Sequence, residues 1–185
     1  MEKNKVLNAI LSASAAALLF STLPASAQSS GAAGATATAS AVSSADKKAI
    51  MDMGMANMAE VEAGKMAVTK AQNPDVKAFG QQMIDDHSKA LTEVQALASA
   101  KGVTLPTELD AKHKAMAAKL DKLSGDKFDK EYMKNAGLAD HKTVHSKLEK
   151  FESGAKDADV KALAAKMKPT VEQHLKSAQM ITAKK

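Results

Sequence analysis

After residue 45 the apolar residues recur every three or four positions, the spacing of one face of an α-helix, and continue in that period almost to the end of the chain. The clearest stretch is residues 73–94, NPDVKAFGQQMIDDHSKALTEV, where Val76, Phe79, Met83, Ala90, Leu91 and Val94 form one stripe. His87 falls inside that stripe, one turn from Met83 and from Leu91, so an imidazole is aimed at the core. A shortened copy of the opening returns at residues 157–163 as DADVKAL. Two related helical hairpins are implied.

Cap and breaker residues place the boundaries. A first helix is expected over about residues 46–72, ending where Asn73-Pro74 supplies a cap and a first-turn proline for the second. The second continues to Lys101, where Gly102 stops it and GVTLP forms a loop. Thr107 with Asp110 resembles a capping box for a shorter third helix carrying Leu109, Met116, Leu120 and Leu123, ending at Ser124-Gly125. A fourth spans about residues 126–153, with Met133, Gly137, Val144, Leu148 and Phe151 on its stripe and Gly154 at its end. The fifth, about residues 157–183, carries Val160, Leu163, Met167, Val171 and Ile181, with Pro169 expected to kink it about a turn before His174. The expected architecture is all-α: an antiparallel four-helix bundle with a short extra connecting helix.

Composition agrees with this. The chain has 185 residues, 45% of them hydrophobic but only 3% aromatic, which suits an Ala-, Leu- and Met-rich helical core and argues against a β-sandwich. Residues 1–27 read as a secretory signal, with Lys3 and Lys5 before a mostly apolar run and a small-x-small site at Ala25-Ser26-Ala27. This predicts a periplasmic or secreted protein whose mature form starts near Gln28 and has no integral membrane segment. Residues 28–45, rich in Gly, Ala, Ser and Thr, read as a disordered tether, leaving 46–185 as the bundle domain. Cysteine is absent, so neither a disulfide nor a lipidated cysteine contributes. The formal charge is +5, and every basic residue is Lys, without the Arg forks that grip phosphates and bases; a nucleic-acid partner is not expected.

On a helical wheel, further polar groups turn inward. His174 lies between Val171 and Ala178; His141 lies at the margin of its stripe with Asp140 on the opposite margin; Glu60 lies among Ala56, Ala63, Gly64 and Ala67, where another helix can come close. With His87 these place polar side chains on four helices at similar heights, the arrangement that builds a metal site in a bundle centre. Glu60, His87, Asp140, His141 and His174 are therefore the candidate ligands for a divalent transition metal, with Fe, Mn or Zn ahead of Cu. The competing reading is a set of hydrogen-bonded core histidines. Asp86 either orients the neighbouring His87 ring or faces water, whereas Asp85, His113 and His145 are peripheral. Tyr132 projects to another face from His141, as a packing residue with a wet hydroxyl. Met51, Met55 and Met58 share a face, with Met53 turned away, and a thioether cluster suits Cu(I), but methionine at such spacing more often fills a core or forms a partner surface. Hydrolase elbows, phosphate-binding loops, HExxH and EF-hand loops do not occur.

The segments AEVEAGKMA, NPDVKAFGQQMIDDH, the ADH of the fourth helix and PTVEQHL resemble the exported bacterial family catalogued as domain of unknown function 4142. The resemblance covers the whole folded domain. It implies a ferritin-like bundle and the importance of Glu60, His87, His141 and His174, and it supplies no reaction. The chain lacks the paired Glu-x-x-His of di-iron ferritins, since Glu172 stands two residues before His174 and points nearly the other way. The function expected is a non-enzymatic binding or stress-protection protein with a metal site at its centre. A metal-dependent redox enzyme and an envelope interaction module with structural histidines are the alternatives.

Overall fold

A computed structural model describes residues 42–184; the expected signal segment and residues 28–41 of the expected tether lie outside the described residues. The elements are α1 (Ser44–Lys70), α2 (Pro74–Ala100), α3 (Ala111–Asp121), α4 (Gly125–Tyr132), a π-helical stretch (Met133–Asp140), α5 (His141–Gly154) and α6 (Ala158–Ala183). α4, the π-helical stretch and α5 run on as one rod. α1 packs along α2, α5 along α6, and α2 against α6, which closes a ferritin-like antiparallel four-helix bundle with α3 as the connecting helix. Among the described residues no helix is long and apolar enough to cross a membrane.

The helix starts follow from local chemistry. Ser43 caps α1: its hydroxyl accepts from the Asp46 backbone N–H at 3.1 Å and donates to the Asp46 carboxylate at 2.8 Å. This Ser-x-x-Asp box draws the last residues of the expected tether, Ser44 and Ala45, into the helix. Asn73 caps α2 and Asp157 caps α6. For α3 the cap is Asp110, bonded to the His113 N–H at 2.8 Å, so Thr107 and Leu109 stay in the preceding loop. Gly102 ends α2 with φ 63°, a conformation that costs a residue with Cβ. α6 continues through Pro169, whose missing N–H leaves one carbonyl of the previous turn without its helical partner.

Two further carboxylates tie the hairpin loops. Asp129, fully buried near the start of the rod, accepts from the backbone N–H groups of Gln72 and Asn73 at 3.1 and 2.8 Å. Asp46, at the start of α1, does the same for Lys156 and Asp157 at 3.0 and 3.2 Å. Each hairpin thus satisfies the loop donors of the other.

The apolar core is in two parts. One, around Val76, Phe79, Met83, Phe128, Tyr132 and Met133, fills the end near the α1–α2 loop. The other, around Ile50, Met53, Val94, Leu148, Val160 and Leu163, fills the opposite end. α1 and α2 meet closely at Gly64 and Gly80, where a Cβ on Gly64 would stand 2.7 Å from the Gly80 carbonyl oxygen. Met53 is the methionine of the MDMGMANM run that enters the core, while Met51 is exposed and the Met55 sulfur faces the Asp110 N–H. The shared face of Met51, Met55 and Met58 therefore looks away from the core.

Candidate metal centre

Between the two apolar parts lies a polar layer to which four helical segments contribute. Asn57 and Glu60 come from α1, His87 from α2, His141 from the first residue of α5, and His174 from α6; all five are buried. The ring centroids of the histidines are 5.2 to 5.6 Å apart. One ligand-capable nitrogen from each ring falls within 4.8 Å of the other two.

Each ring is held by its other nitrogen. The Asn57 amide donates to the Met53 carbonyl at 2.8 Å, which leaves its oxygen to accept from His87 Nδ1 at 2.8 Å. His141 Nδ1 donates to the Ala136 carbonyl at 2.7 Å, and His174 Nε2 donates to Asp86 Oδ2 at 3.0 Å. These bonds set the tautomers, leaving a lone pair on His87 Nε2, His141 Nε2 and His174 Nδ1. Those same three nitrogens are buried with no hydrogen-bond partner. Leaving a buried polar atom unpaired costs about 1–3 kcal/mol, so three together are an expensive feature for a histidine cluster that only packs. A carboxylate, carbonyl or amide on the far nitrogen is the arrangement that orients imidazole ligands toward a metal ion.

Electrostatics keep these groups neutral. Burial, reinforced by His141 and His174, holds His87 well below the usual imidazole range. Burial brings His141 down to about 4, against the opposing bond to Ala136. His174 is lowered by burial despite Asp86 pulling it up. Burial, then Asp140, pushes Glu60 well above the ordinary carboxylate range. Glu60 Oε1 stands 3.5 Å from His141 Nδ1, and its Oε2 is unpartnered. The centre is a set of neutral imidazoles with one acid beside them, the protonation state that a metal ion requires of histidine.

The expected ligands are placed as follows. His87, His141 and His174 come together, and Glu60 lies beside them, its Oε1 3.5 Å from the engaged Nδ1 of His141. Asp140 lies one step outside: it is buried, but one oxygen is held by Lys112 at 2.6 Å. Asp86 orients His174 rather than its neighbour His87, because the α2 turn that sends His87 inward sends Asp86 toward α6. His87 is oriented instead by Asn57, a mid-helix amide for which the sequence offered no signal beyond its place on the inner face of α1. His113 stays peripheral on its own cap Asp110, and His145 lies 3.8 Å from Glu149.

Tyr132 departs from expectation. It is fully buried, its hydroxyl is unpartnered, and burial, then Glu60, holds the phenol well above its usual range. The physical reason is the π-helical stretch, which takes close to one more residue per turn than an α-helix. Across Met133–Asp140 it absorbs about two extra residues, so the nine-residue step from Tyr132 to His141 makes two turns and both side chains face inward. Phe79 then contacts Tyr132, His141 and His174, with centroids 6.2 to 6.3 Å away.

Fold and centre together define a class: an all-helical, ferritin-like bundle whose core is interrupted by three converging buried histidines that can hold a metal ion. The chain belongs to the family described as a domain of unknown function (DUF4142), whose model matches residues 31–181. Among solved structures it is similar to the crystal structure of a DUF305 fragment from Deinococcus radiodurans, with a TM-score of 0.69 and 10% sequence identity. That match covers 78% of this chain and 99% of the other, and at such identity it speaks for the fold alone. No curated protein matches the chain.

Proposed function

We propose that this protein binds one divalent transition metal ion at the bundle centre through His87 Nε2, His141 Nε2 and His174 Nδ1, with Glu60 as a fourth, anionic ligand. The observation that carries the reading is the convergence of three buried imidazole nitrogens without partners, each on a ring whose other nitrogen is already engaged. Three imidazoles and one carboxylate suit Zn(II) and Fe(II) best, with Mn(II) favoured less for want of oxygen donors. Nitrogens on one Zn(II) at about 2.1 Å stand about 3.4 Å apart, and the three rings already offer nitrogens within 4.8 Å of one another. Binding also removes the proton that burial keeps on Glu60, so affinity rises with pH.

The cavity between Glu60, His87 and His141 measures about 10 Å³. That holds one water at most, so the space among these residues fits an ion and not a sizeable substrate. Thermal melts of the chelator-treated full chain with Zn(II), Fe(II), Mn(II) or Cu(II) test the reading. Stabilisation of about 2.7 kcal/mol is expected at a hundredfold excess over Kd, and it is lost in His87→Ala and His174→Ala. No metal-dependent shift in the parent, or an equal shift in the variants, removes the site.

A further inference from the structure

Two carboxylates beside the histidines each keep an oxygen that no group claims. Glu60 Oε2 and Asp140 Oδ2 are buried without a hydrogen-bond partner, on residues only 4% and 6% exposed. Both line a cavity of about 40 Å³ beside α3, together with Ala56, Lys112, His113 and Lys147. Glu60 also lines the small central cavity with His87 and His141, so the two spaces share one carboxylate. Lys112 reaches in from the short connecting helix: its side chain is 62% exposed, yet its Nζ lies 2.6 Å from Asp140 Oδ1.

A larger cleft of about 190 Å³ approaches the centre from the α2–α6 side, past Asn57, Asp86 and His87. Several of its polar groups are engaged with neighbours: His87 with Asn57, one oxygen of Asp86 with His174, and one oxygen of Glu93 with Lys166. Lys89 and Lys166 also line it, and the remaining oxygens of Asp86 and Glu93 sit on side chains 31% and 40% exposed, where water satisfies them. On the α3 side an arriving cation meets the buried, unclaimed oxygens of Glu60 and Asp140, in a cavity that Lys112 and Lys147 also line, and Glu60 gives up its proton as the ion binds. Carboxylates are the ligands of hard, hydrated divalent ions, while imidazoles suit borderline transition metals. An ion taking this route exchanges water first for carboxylate and then for nitrogen.

We propose that Glu60 and Asp140 form a cation-loading subsite at the mouth of the three-histidine centre, with the Lys112 ammonium as its resident cation until a divalent ion displaces it. The inference rests on the metal-binding reading above. Co(II) is the probe: stopped-flow absorbance of its ligand-field bands reports arrival at the nitrogen ligands, and calorimetry gives the equilibrium affinity for the full chain. Asp140→Asn is expected to slow loading about tenfold or more, the scale of electrostatic focusing in a charged cleft, while affinity stays within about threefold. Lys112→Met is expected to load faster than the parent, and Lys89→Met, in the other cleft, to load within about twofold of it.

Parental loading by Asp140→Asn overturns the subsite. So does weaker affinity at an unchanged rate, which makes Asp140 a permanent ligand, and so does faster loading by Lys89→Met, which moves entry to the α2–α6 cleft. Should Asp140→Asn not fold, Lys112→Met carries the test at a largely exposed position, and a rate no faster than the parent's overturns the proposal. Absence of Co(II) binding in the parent removes the centre itself, whereas binding at a rate indifferent to Asp140 and Lys112 removes only the loading subsite.

Discussion

Lowering the pH from 7 to 5 on the metal-free protein interrogates the buried histidines directly. Unfolded, each imidazole titrates near 6.5, whereas in the fold burial holds His87 well below that and His141 at about 4. Between pH 6.5 and about 4 the unfolded chain therefore binds protons that the folded chain refuses, and stability falls as pH falls. At pH 5 each imidazole kept neutral by the fold removes about 2 kcal/mol, so His87 and His141 together remove about 4 kcal/mol. His174 adds to this in the same direction. Glu60 acts in the opposite sense: its folded pKa is raised, so the fold retains a proton the unfolded chain has lost, and acidification restores at most about 3 kcal/mol over the two pH units.

The parent is thus expected to lose about 1–4 kcal/mol between pH 7 and 5, against a total stability of about 5–15 kcal/mol for a domain of this kind. Glu60→Gln keeps the shape and removes the opposing acid, so it should lose the full 4 kcal/mol or so. Urea unfolding followed by far-ultraviolet circular dichroism, in chelator at both pH values, measures the difference. A Glu60→Gln protein equally stable at pH 7 and pH 5 would falsify the picture of neutral, buried imidazoles.

Asn57→Leu preserves bulk on α1 while taking away the acceptor that orients His87, and Zn(II) affinity by calorimetry is expected to fall about 10–100-fold; unchanged affinity means the Asn57–His87 bond does not position the ligand. Asp129→Ala strips two charge-assisted bonds from the α1–α2 loop and is expected to cost about 2–4 kcal/mol in urea unfolding, with a loss under about 0.5 kcal/mol showing that water replaces the carboxylate.

The parts of the fold that depend on neighbours along the chain were legible. The Val76–Phe79–Met83 stripe, the Asn73-Pro74 start and the Gly102 stop lie within one or two turns of the residues that determine them, and the structure has helices where they point. His87, His141, His174 and Glu60 could be found because inward polar residues stand out against an apolar stripe. What holds them could not. Asn57 meets His87 across 30 residues and Asp86 meets His174 across 88, so each pairing depends on how far one helix slides along another. A wheel of constant pitch also misplaces whatever lies across a change of pitch. Such a wheel sets Tyr132 on another face from His141 with its hydroxyl wet, and the π-helical stretch turns it inward and buries the hydroxyl.

The crossed ties of Asp46 and Asp129 make each helical hairpin self-complementary in kind: one carboxylate to give at its start, one loop to be closed at its turn. Two copies of a single such hairpin, placed head to tail about a two-fold axis, would satisfy each other fully, which is the logic of a symmetric dimer. In this chain α3 joins the two halves covalently, and the DVKA echo between residues 75–78 and 159–162 lies just after the two tied loops. Cutting the chain within residues 103–110 should therefore leave two fragments that find each other in solution, because neither can close its own turn.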